Sequence, residues 1–370
     1  MGKMNSEITK HRIKSIRRLI NKKGINSLII TKPANVTYTT GFSGEDSWAI
    51  ITQRNIYLLT DSRYIEQAKK QCPYCKIIQR SGPVIEATAN IIKKQGLIQT
   101  IAVEKSISLS HYEALKKQIR TGLKSRADII ETVRSIKDSS EIAAVRKACR
   151  IAARALGQTT KHIKPGITEN ELAGMLNFQI RKSMAGNSFE TIIAFGSNAS
   201  LPHHQPSSRK LKKNDTVLID FGVRYKNYCC DLTRCFSIGK PSRLYERVYE
   251  AVRLAQEAAI KKIKAGVRVS EVDNAARKII AEYNLPVYGH GTGHGLGLEV
   301  HEKPIISDKD KGSLKAGQVI TIEPGVYIPG KLGVRIEDDI LVTQSGGKVL
   351  SSSLAVPAIA KRAMTLNKFV

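Results

Sequence analysis

Asp220 stands in the run VLIDFGV, with Leu218, Ile219, Phe221 and Val223 around it. A carboxylate in such a strand-like apolar run costs several kcal/mol unless it is paired or bound to a metal. A short polar turn at Lys226 and Asn227 follows, and then a second predicted strand, Tyr228 to Phe236, which carries Asp231. The arrangement recurs further along: Glu323 follows Ile320 and Ile322, and Glu337 follows Val334 and Ile336. Asp215 and Asp338 read instead as exposed acids, at a turn and beside a buried neighbour. Matched carboxylates on two hairpins converge if the hairpins meet about a pseudo-twofold axis. Four converging acids repel one another unless cations neutralise them, and two divalent ions would do so.

Histidine adds an asymmetry. Gly289 to Glu302 reads GHGTGHGLGLEVHE, placing His290, His294 and His301 between the acid-bearing elements. Glycines flank His294 on both sides, which lets the backbone come close to a site. A lone histidine is usually an ordinary hydrogen-bonded residue; a set of this density on a Gly-rich segment is not. A nitrogen ligand beside carboxylate oxygens suits Mn, Co, Zn or Fe better than Ca or Mg.

The elements that position these residues form a repeat. IKPGITENELA at 163–173 is matched by IKAGVRVSEVD at 263–273, each joining two helical segments through a Gly turn. LKKNDTVLIDFG at 211–222 is matched by LKAGQVITIEPG at 314–325, with the acid and the following Gly in the same places. His203 and Pro206 precede the first run as His301 and Pro304 precede the second. The same order in both halves predicts duplication with an internal pseudo-twofold.

The first third alternates helix and strand: helix at 11–23, strands at 27–31, 48–52, 56–59 and 101–104, helices near 64–71 and 84–95. The pattern lapses into a charged connection at 125–138. A long helix then starts, with Ser139 or Ser140 as its cap and Glu141 in the first turn. The expected organisation is a smaller α/β domain over 1–132 and an α+β catalytic domain over 133–370.

The chain resembles the pita-bread metallopeptidases, and within them the Xaa-Pro aminopeptidase and Xaa-Pro dipeptidase (prolidase) branch. The segments that carry the resemblance are PHHQP at 202–206, LIDFG and CCDLTRCF within 218–236, HGTGHGLGLEVHEKP at 290–304, TIEPGVY at 321–327 and GVRIEDD at 333–339. By that resemblance Asp220, Asp231, His294, Glu323 and Glu337 are metal ligands, with Asp231 and Glu337 bridging two divalent ions, Mn foremost and Co or Zn as alternatives. His203, His290 and His301 are implied as catalytic or substrate-binding residues, and Arg335 as support beside Glu337. Glu323 is the implied partner for proton transfer; His203 would stabilise the oxyanion and His301 hold the intermediate. YTTGF at 38–42 and LTDSRY at 59–64 resemble the amino-terminal domain of the same branch. Simple methionine aminopeptidases of this fold lack that domain, and creatinases lack the full metal set. Having both implies cleavage before proline in proline-containing peptides, with the first domain mediating homodimer contacts and narrowing the cleft. A dipeptidase is the nearest alternative. Two departures stand out: Cys230 where the family often has a small residue, and Asn227 where it often has Gly.

Composition bounds the rest. The chain has 370 residues, more than one compact core usually holds. The net charge is +28, but Lys and Arg are spread along the whole chain. Their densest cluster, Lys10 to Lys23, alternates with Ile13, Ile16, Leu19 and Ile20, the spacing of a surface helix with a solvated basic face. A transit peptide is a weaker reading, because the helix runs straight into a strand. No aromatics are interleaved with the bases, so no specific nucleic-acid partner is expected, only salt-sensitive attraction. A non-catalytic binding protein of the same fold is the rival from another class; such proteins usually lose ligands. No apolar run reaches the ~18 residues of a membrane span, and the start lacks a secretory apolar stretch. MGKMNS matches a myristoylation pattern at Gly2 and Ser6, a match short enough to arise by chance. Cytoplasm is the expected setting. Of six cysteines, Cys72 and Cys75 form CPYC. A redox pair of that type opens a helix after a strand, whereas this one follows a helix and reads as two thiols at a turn. Cys229, Cys230 and Cys235 lack zinc-site pairing, and a reducing compartment fits them all.

Overall fold

The computed structural model describes residues 6–97, 100–119 and 122–352; Gly2 lies outside them. The chain forms two compact units, Met1–Arg134 and Ser135–Val370. No described helix is long and apolar enough to cross a membrane.

The first unit is built on one mixed sheet. Its strands are β1 (Ser27–Ile30), β2 (Trp48–Thr52), β3 (Ile56–Thr60), β4 (Lys76–Gln79), β5 (Ile101–Glu104) and β6 (Lys124–Arg126), in the order β4-β3-β2-β1-β5-β6. β1, β2, β3 and β5 are buried on both faces, which is why they read as continuous apolar runs. Ile29, Ile50 and Leu59 pack against Ala89 and Ile92 of one helix and Leu115 and Ile119 of another. The helices are α1 (Ser6–Lys22), α2 (Pro33–Thr40), α3 (Ile65–Gln71), α4 (Val84–Lys94), α5 (Leu109–Ile119) and α6 (Ile129–Arg134). The periodicity did not anticipate α2, α5 or α6. The charged connection expected at 125–138 holds β6 and α6, because Arg134 is buried and bonds Asn35, which in turn donates to Glu104 and Glu131. Cys72 and Cys75 sit at the turn between α3 and β4.

The second unit repeats itself. α7 (Ser139–Thr159) and α8 (Glu169–Lys182) form one helix pair, α9 (Arg243–Lys262) and α10 (Val269–Glu282) the other. α7 is capped by Asp138 rather than Ser139 or Ser140: Asp138 accepts from the N–H groups of Ser140 and Glu141 while Glu141 reaches back to its N–H. Each pair turns at a glycine of positive φ, Gly166 at 98° and Gly266 at 93°. The Gly166 N–H donates to Leu211 O, and the Leu211 N–H returns a bond to Ile167 O. Gly266, Leu314 and Val267 make the same pair of bonds. The sequence repeat is therefore a repeat of backbone hydrogen bonds.

The strands of this unit are β7 (Gly186–Asn187), β8 (Ile192–Phe195), β9 (Thr216–Phe221), β10 (Val223–Tyr225), β11 (Tyr228–Cys229), β12 (Leu232–Ser237), β13 (Gly293–Gly295), β14 (Glu302–Ile306), β15 (Val319–Ile322), β16 (Gly325–Ile328), β17 (Leu332–Arg335), β18 (Asp338–Val342) and β19 (Gly347–Val349). They form sheets ordered β12-β9-β8 and β14-β13-β15-β18-β19, a small β11-β10-β7 sheet, and the β16-β17 hairpin. Tyr228 to Phe236, expected as one strand, is two strands of different sheets interrupted at Cys230 and Asp231. The β10–β11 turn is Lys226–Asn227, at φ 49° and 70°, which explains why glycine suits position 227.

Strand alternation assigns each face. On β9, Val217, Ile219 and Phe221 enter the core around α7 and α8, while Leu218 enters the core around α9 and α10. Asp220, two residues from Leu218, shares that second face. On β15, Ile320 and Ile322 enter the α9–α10 core and Val319 the other. Thr321 and Glu323 share the face of Val319. Each half thus turns its acid toward the other half.

Candidate metal centre

Asp220 lies near the end of β9 and pairs with Thr233 of β12 across the ladder. Asp231 is just before β12, and Glu337 just before β18. The two segments touch through a bridge between Thr233 and Glu337, which joins the halves at the acids. Thr233 also donates from Oγ1 to Glu337 Oε2 at 2.7 Å, fixing that carboxylate. His294 is the middle residue of β13, and its N–H donates to Thr321 Oγ1 at 3.0 Å. A Cβ on Gly293 would lie 2.0 Å from Thr321 O, and one on Gly295 2.2 Å from Lys303 O, so only glycine fits beside His294.

The donor atoms of Asp231, His294 and Glu337 all lie within 4.8 Å of one another. His294 Nε2 is 3.3 Å from Glu323 Oε1 and 3.7 Å from Asp231 Oδ2. Asp220 joins through Arg335, whose guanidinium bonds Asp220 Oδ2. Asp220 Oδ1 is buried without a hydrogen-bond partner. The other Arg335 nitrogens reach Thr233 Oγ1 at 3.2 Å and Tyr327 Oη at 2.7 Å. Tyr327 Oη is also 3.2 Å from His290 Nε2.

Burial drives the electrostatics. Asp231 and Glu337 are pushed well above the usual carboxylate range, first by burial and then by the neighbouring acids. Burial pushes Glu323 up to about 7 against the opposing charge of Arg335. Burial lowers His294 to about 4, leaving a neutral imidazole able to ligate. His290 is likewise lowered to about 4, by burial and then by positive neighbours that include Arg335, Arg277 and His203.

His203 is exposed, on the loop after β8, and His301 is exposed before β14. The His301 ring meets His294 edge-on at 4.4 Å between centroids. Buried acids, an orphaned carboxylate oxygen and one neutral imidazole fit divalent ions of the Mn, Co or Zn class. The residues that would hold two of them are Asp220, Asp231, His294, Glu323 and Glu337.

The structure adds residues that the sequence reading passed over. Asp338 is not exposed: it accepts from Arg234 at 2.7 Å, from Gln256 at 3.1 Å and from Ser351 at 2.6 Å. Arg234 also donates to Glu337 O at 2.6 Å and so holds the backbone of that acid. Cys230 is not isolated, since it meets Cys149 and Asp339. Glu169, at the start of α8, accepts from Phe195 N, Asn198 Nδ2, Ser207 N and Ser207 Oγ, and lies 2.8 Å from His204 Nε2. It ties down the loop that carries His203. Glu169 follows a capping threonine at a helix start, a position that sequence reads as helix chemistry only.

Residues 143–344 match the model of metallopeptidase family M24, and residues 12–136 match the creatinase/prolidase N-terminal domain. The Bacillus subtilis peptidase YqhT is 38% identical over 345 residues, covering 92% of this chain and 98% of its own. The structure of the Xaa-Pro dipeptidase from Bacillus anthracis superposes with a TM-score of 0.91 at 35% identity, covering 96% of this chain and 99% of that one. That of the X-Pro aminopeptidase from Thermotoga maritima gives 0.85 at 35% identity, covering 94% and 99%.

Proposed function

We propose that this chain, which belongs to metallopeptidase family M24, hydrolyses the bond between an N-terminal residue and a following proline, as an Xaa-Pro aminopeptidase. The observation that carries the hydrolytic reading is the meeting of Asp231, His294 and Glu337 donor atoms within 4.8 Å, with Glu323 against His294. Two divalent ions bound there would acidify a water and polarise the scissile carbonyl. Cleavage before proline is supported by likeness, over nearly whole chains, to an Xaa-Pro dipeptidase and an X-Pro aminopeptidase. These two relatives support the dipeptidase alternative comparably.

The chain's own groups divide the work. Glu323, whose Oε1 lies 3.3 Å from His294 Nε2, is the group we assign to proton transfer during attack. Arg335 holds Asp220 and Tyr327 together and keeps a positive charge beside the acids. His290 is held neutral, with Nδ1 2.7 Å from Gly291 O and Nε2 near Tyr327. In this reading His203 and His301, exposed on two loops, act on substrate: His203 on the developing oxyanion and His301 on the intermediate.

Mn is the metal we assign, with Co or Zn as alternatives. The homodimer and the cytoplasmic setting implied by the family resemblance belong to the same reading; sedimentation and cell fractionation check them. The deciding experiment loads the metal-stripped protein with Mn2+, Co2+ or Zn2+. It then compares hydrolysis of Gly-Pro with that of Xaa-Pro-Xaa peptides. Preference for the longer peptides supports the aminopeptidase, preference for Gly-Pro the dipeptidase. Hydrolysis of neither with any metal overturns both.

A further inference from the structure

Next to Asp231 a second set of ligating side chains meets. Cys149 comes from the middle of α7, Cys230 from the break before β12, and Asp339 from β18. Their donor atoms lie within 4.8 Å of one another, and all three residues are buried. Cys149 Sγ is 3.3 Å from Asp339 Oδ2. The same oxygen accepts the Asp231 N–H at 3.3 Å. Asp339 Oδ1, fully buried, has no hydrogen-bond partner, which is costly for a carboxylate oxygen. The mechanism above uses none of these groups.

We propose that Cys149, Cys230 and Asp339 form a site for a soft, thiophilic cation, and that its occupation switches off the neighbouring centre. Two sulfurs and one carboxylate oxygen make a donor set that selects soft ions, unlike the oxygen-rich set at Asp220 and Glu337. Zn–S and Zn–O bonds of about 2.3 and 2.0–2.2 Å place tetrahedral ligand atoms roughly 3.5–3.8 Å apart. A spacing of at most 4.8 Å therefore needs only a small contraction. Binding releases the thiol protons to solvent and gives Asp339 Oδ1 a partner.

The coupling is covalent and short. Cys230 is peptide-bonded to Asp231, and Asp339 holds the Asp231 N–H. Drawing Cys230 and Asp339 onto an ion shifts the peptide that positions Asp231. Because the cluster is wholly buried, the ion enters only when α7 or the Cys230 segment opens locally, so inhibition develops slowly.

The inhibitory half of this proposal rests on the peptidase reading; the binding half does not. The test uses the full-length protein in excess Mn2+, with Cd2+ as the probe. Cys72→Ser and Cys75→Ser are introduced first, to silence the thiols of the CPYC turn. Thiolate-to-cadmium absorbance in the near ultraviolet and peptide hydrolysis are followed together. The expected result is a slow rise in absorbance with a slow loss of hydrolysis. Adding Cys149→Ser should abolish the absorbance, weaken Cd2+ binding by at least ~100-fold and protect hydrolysis. Cys149→Ala serves if the serine variant fails to fold by circular dichroism. Absorbance that is absent in the parent, or unchanged in both Cys149 variants, overturns the site. Cys149-dependent absorbance without loss of hydrolysis overturns the switch alone. If no protein cleaves any peptide, the peptidase reading fails while the absorbance still decides the site.

Discussion

In the first half of the second unit, α8 directs its buried acid, Glu169, to the loop that carries His203; in the second half, α10 directs Asp273 to buried Thr292, just before β13. Glu169 gathers Phe195, Asn198, His204 and Ser207 around exposed His203. Asp273 accepts from the N–H and Oγ1 of Thr292 and from Arg277, and Arg277 donates to Tyr288 O and His290 O. The turn bonds at Gly166 and Gly266 are the same in both halves. The repeated turns thus supply a common frame, while the two anchors stand at different places in the repeat: Glu169 is matched by Val269, and Asp273 by Ala173. The first holds the loop beside exposed His203; the second holds the backbone at His290, whose imidazole is kept neutral by burial.

The most severe way to probe this comparison is to remove the acids that duplication matched. Asp231→Asn and Glu337→Gln should each lower turnover by more than ~10²-fold, since residues merely behind metal ligands are worth 10–100-fold. Both proteins should stay folded, because each loses a buried charge. Turnover near wild type in either variant, with two ions retained after dialysis, would mean that the halves are not equivalent at the centre.

The divergent histidines come next. His203→Ala should lower kcat by ~10²-fold, typical of one proton-transfer or electrostatic group, with metal content unchanged. His294→Ala should lose metal first and activity as a consequence. Equal loss of metal in both would erase the distinction drawn here between an acting and a ligating imidazole.

Metal loading should itself depend on pH. Burial holds Glu323 up to about 7 and, with the neighbouring acids, holds Asp231 and Glu337 well above the usual carboxylate range, so protons occupy these oxygens in the metal-free protein at acidic pH. An incoming ion must displace them. Apparent affinity should therefore climb with pH by about tenfold per unit for each proton released, and the Glu323 contribution should level off above about 7. Titration calorimetry in buffers of different ionisation enthalpy reads the proton count directly. A flat profile between pH 5 and 7 would contradict the protonated cluster.

Much of this was legible because the signals were local. Asp220 in VLIDFGV and Glu323 after Ile320 and Ile322 are acids where strand patterning demands apolar side chains. The Gly turns that define the repeat recur in sequence and in hydrogen bonding. What escaped depends on contacts between distant segments. Nothing near Asp338 announces Arg234, and nothing near Cys230 announces Cys149. Helix α6 was read as a charged connection because the partners that let Arg134 be buried lie far away in the chain. The strand break at Asp231 is invisible to periodicity, since a residue that leaves one sheet for another keeps its apolar neighbours.

The gentlest test concerns the Glu169 anchor. Glu169→Gln keeps size and removes charge, but it turns one oxygen into an amide that faces the Ser207 N–H and hydroxyl, both donors to Oε2 in the wild type. Leaving such buried groups unmatched costs about 1–3 kcal/mol. Activity should fall only several-fold, through kcat, because the His203 loop loosens while the metal ligands stay in place. The pH dependence gives an internal check. Burial pushes the Glu169 carboxyl up, but bonds from Ser207, His204, Phe195 and Asn198 outweigh it and hold it below the ordinary value of 4.5. A depressed folded value means that the ionised form stabilises the fold above about 4.5, and that this stability is lost as pH falls through the folded value. The stability gap between wild type and Glu169→Gln, measured by denaturant unfolding, should therefore be full near neutral pH and shrink in acid. A gap that widens in acid would show that the loop is not held by the Glu169 charge. Its contrast with the Asp273 anchor would then have to rest on packing alone.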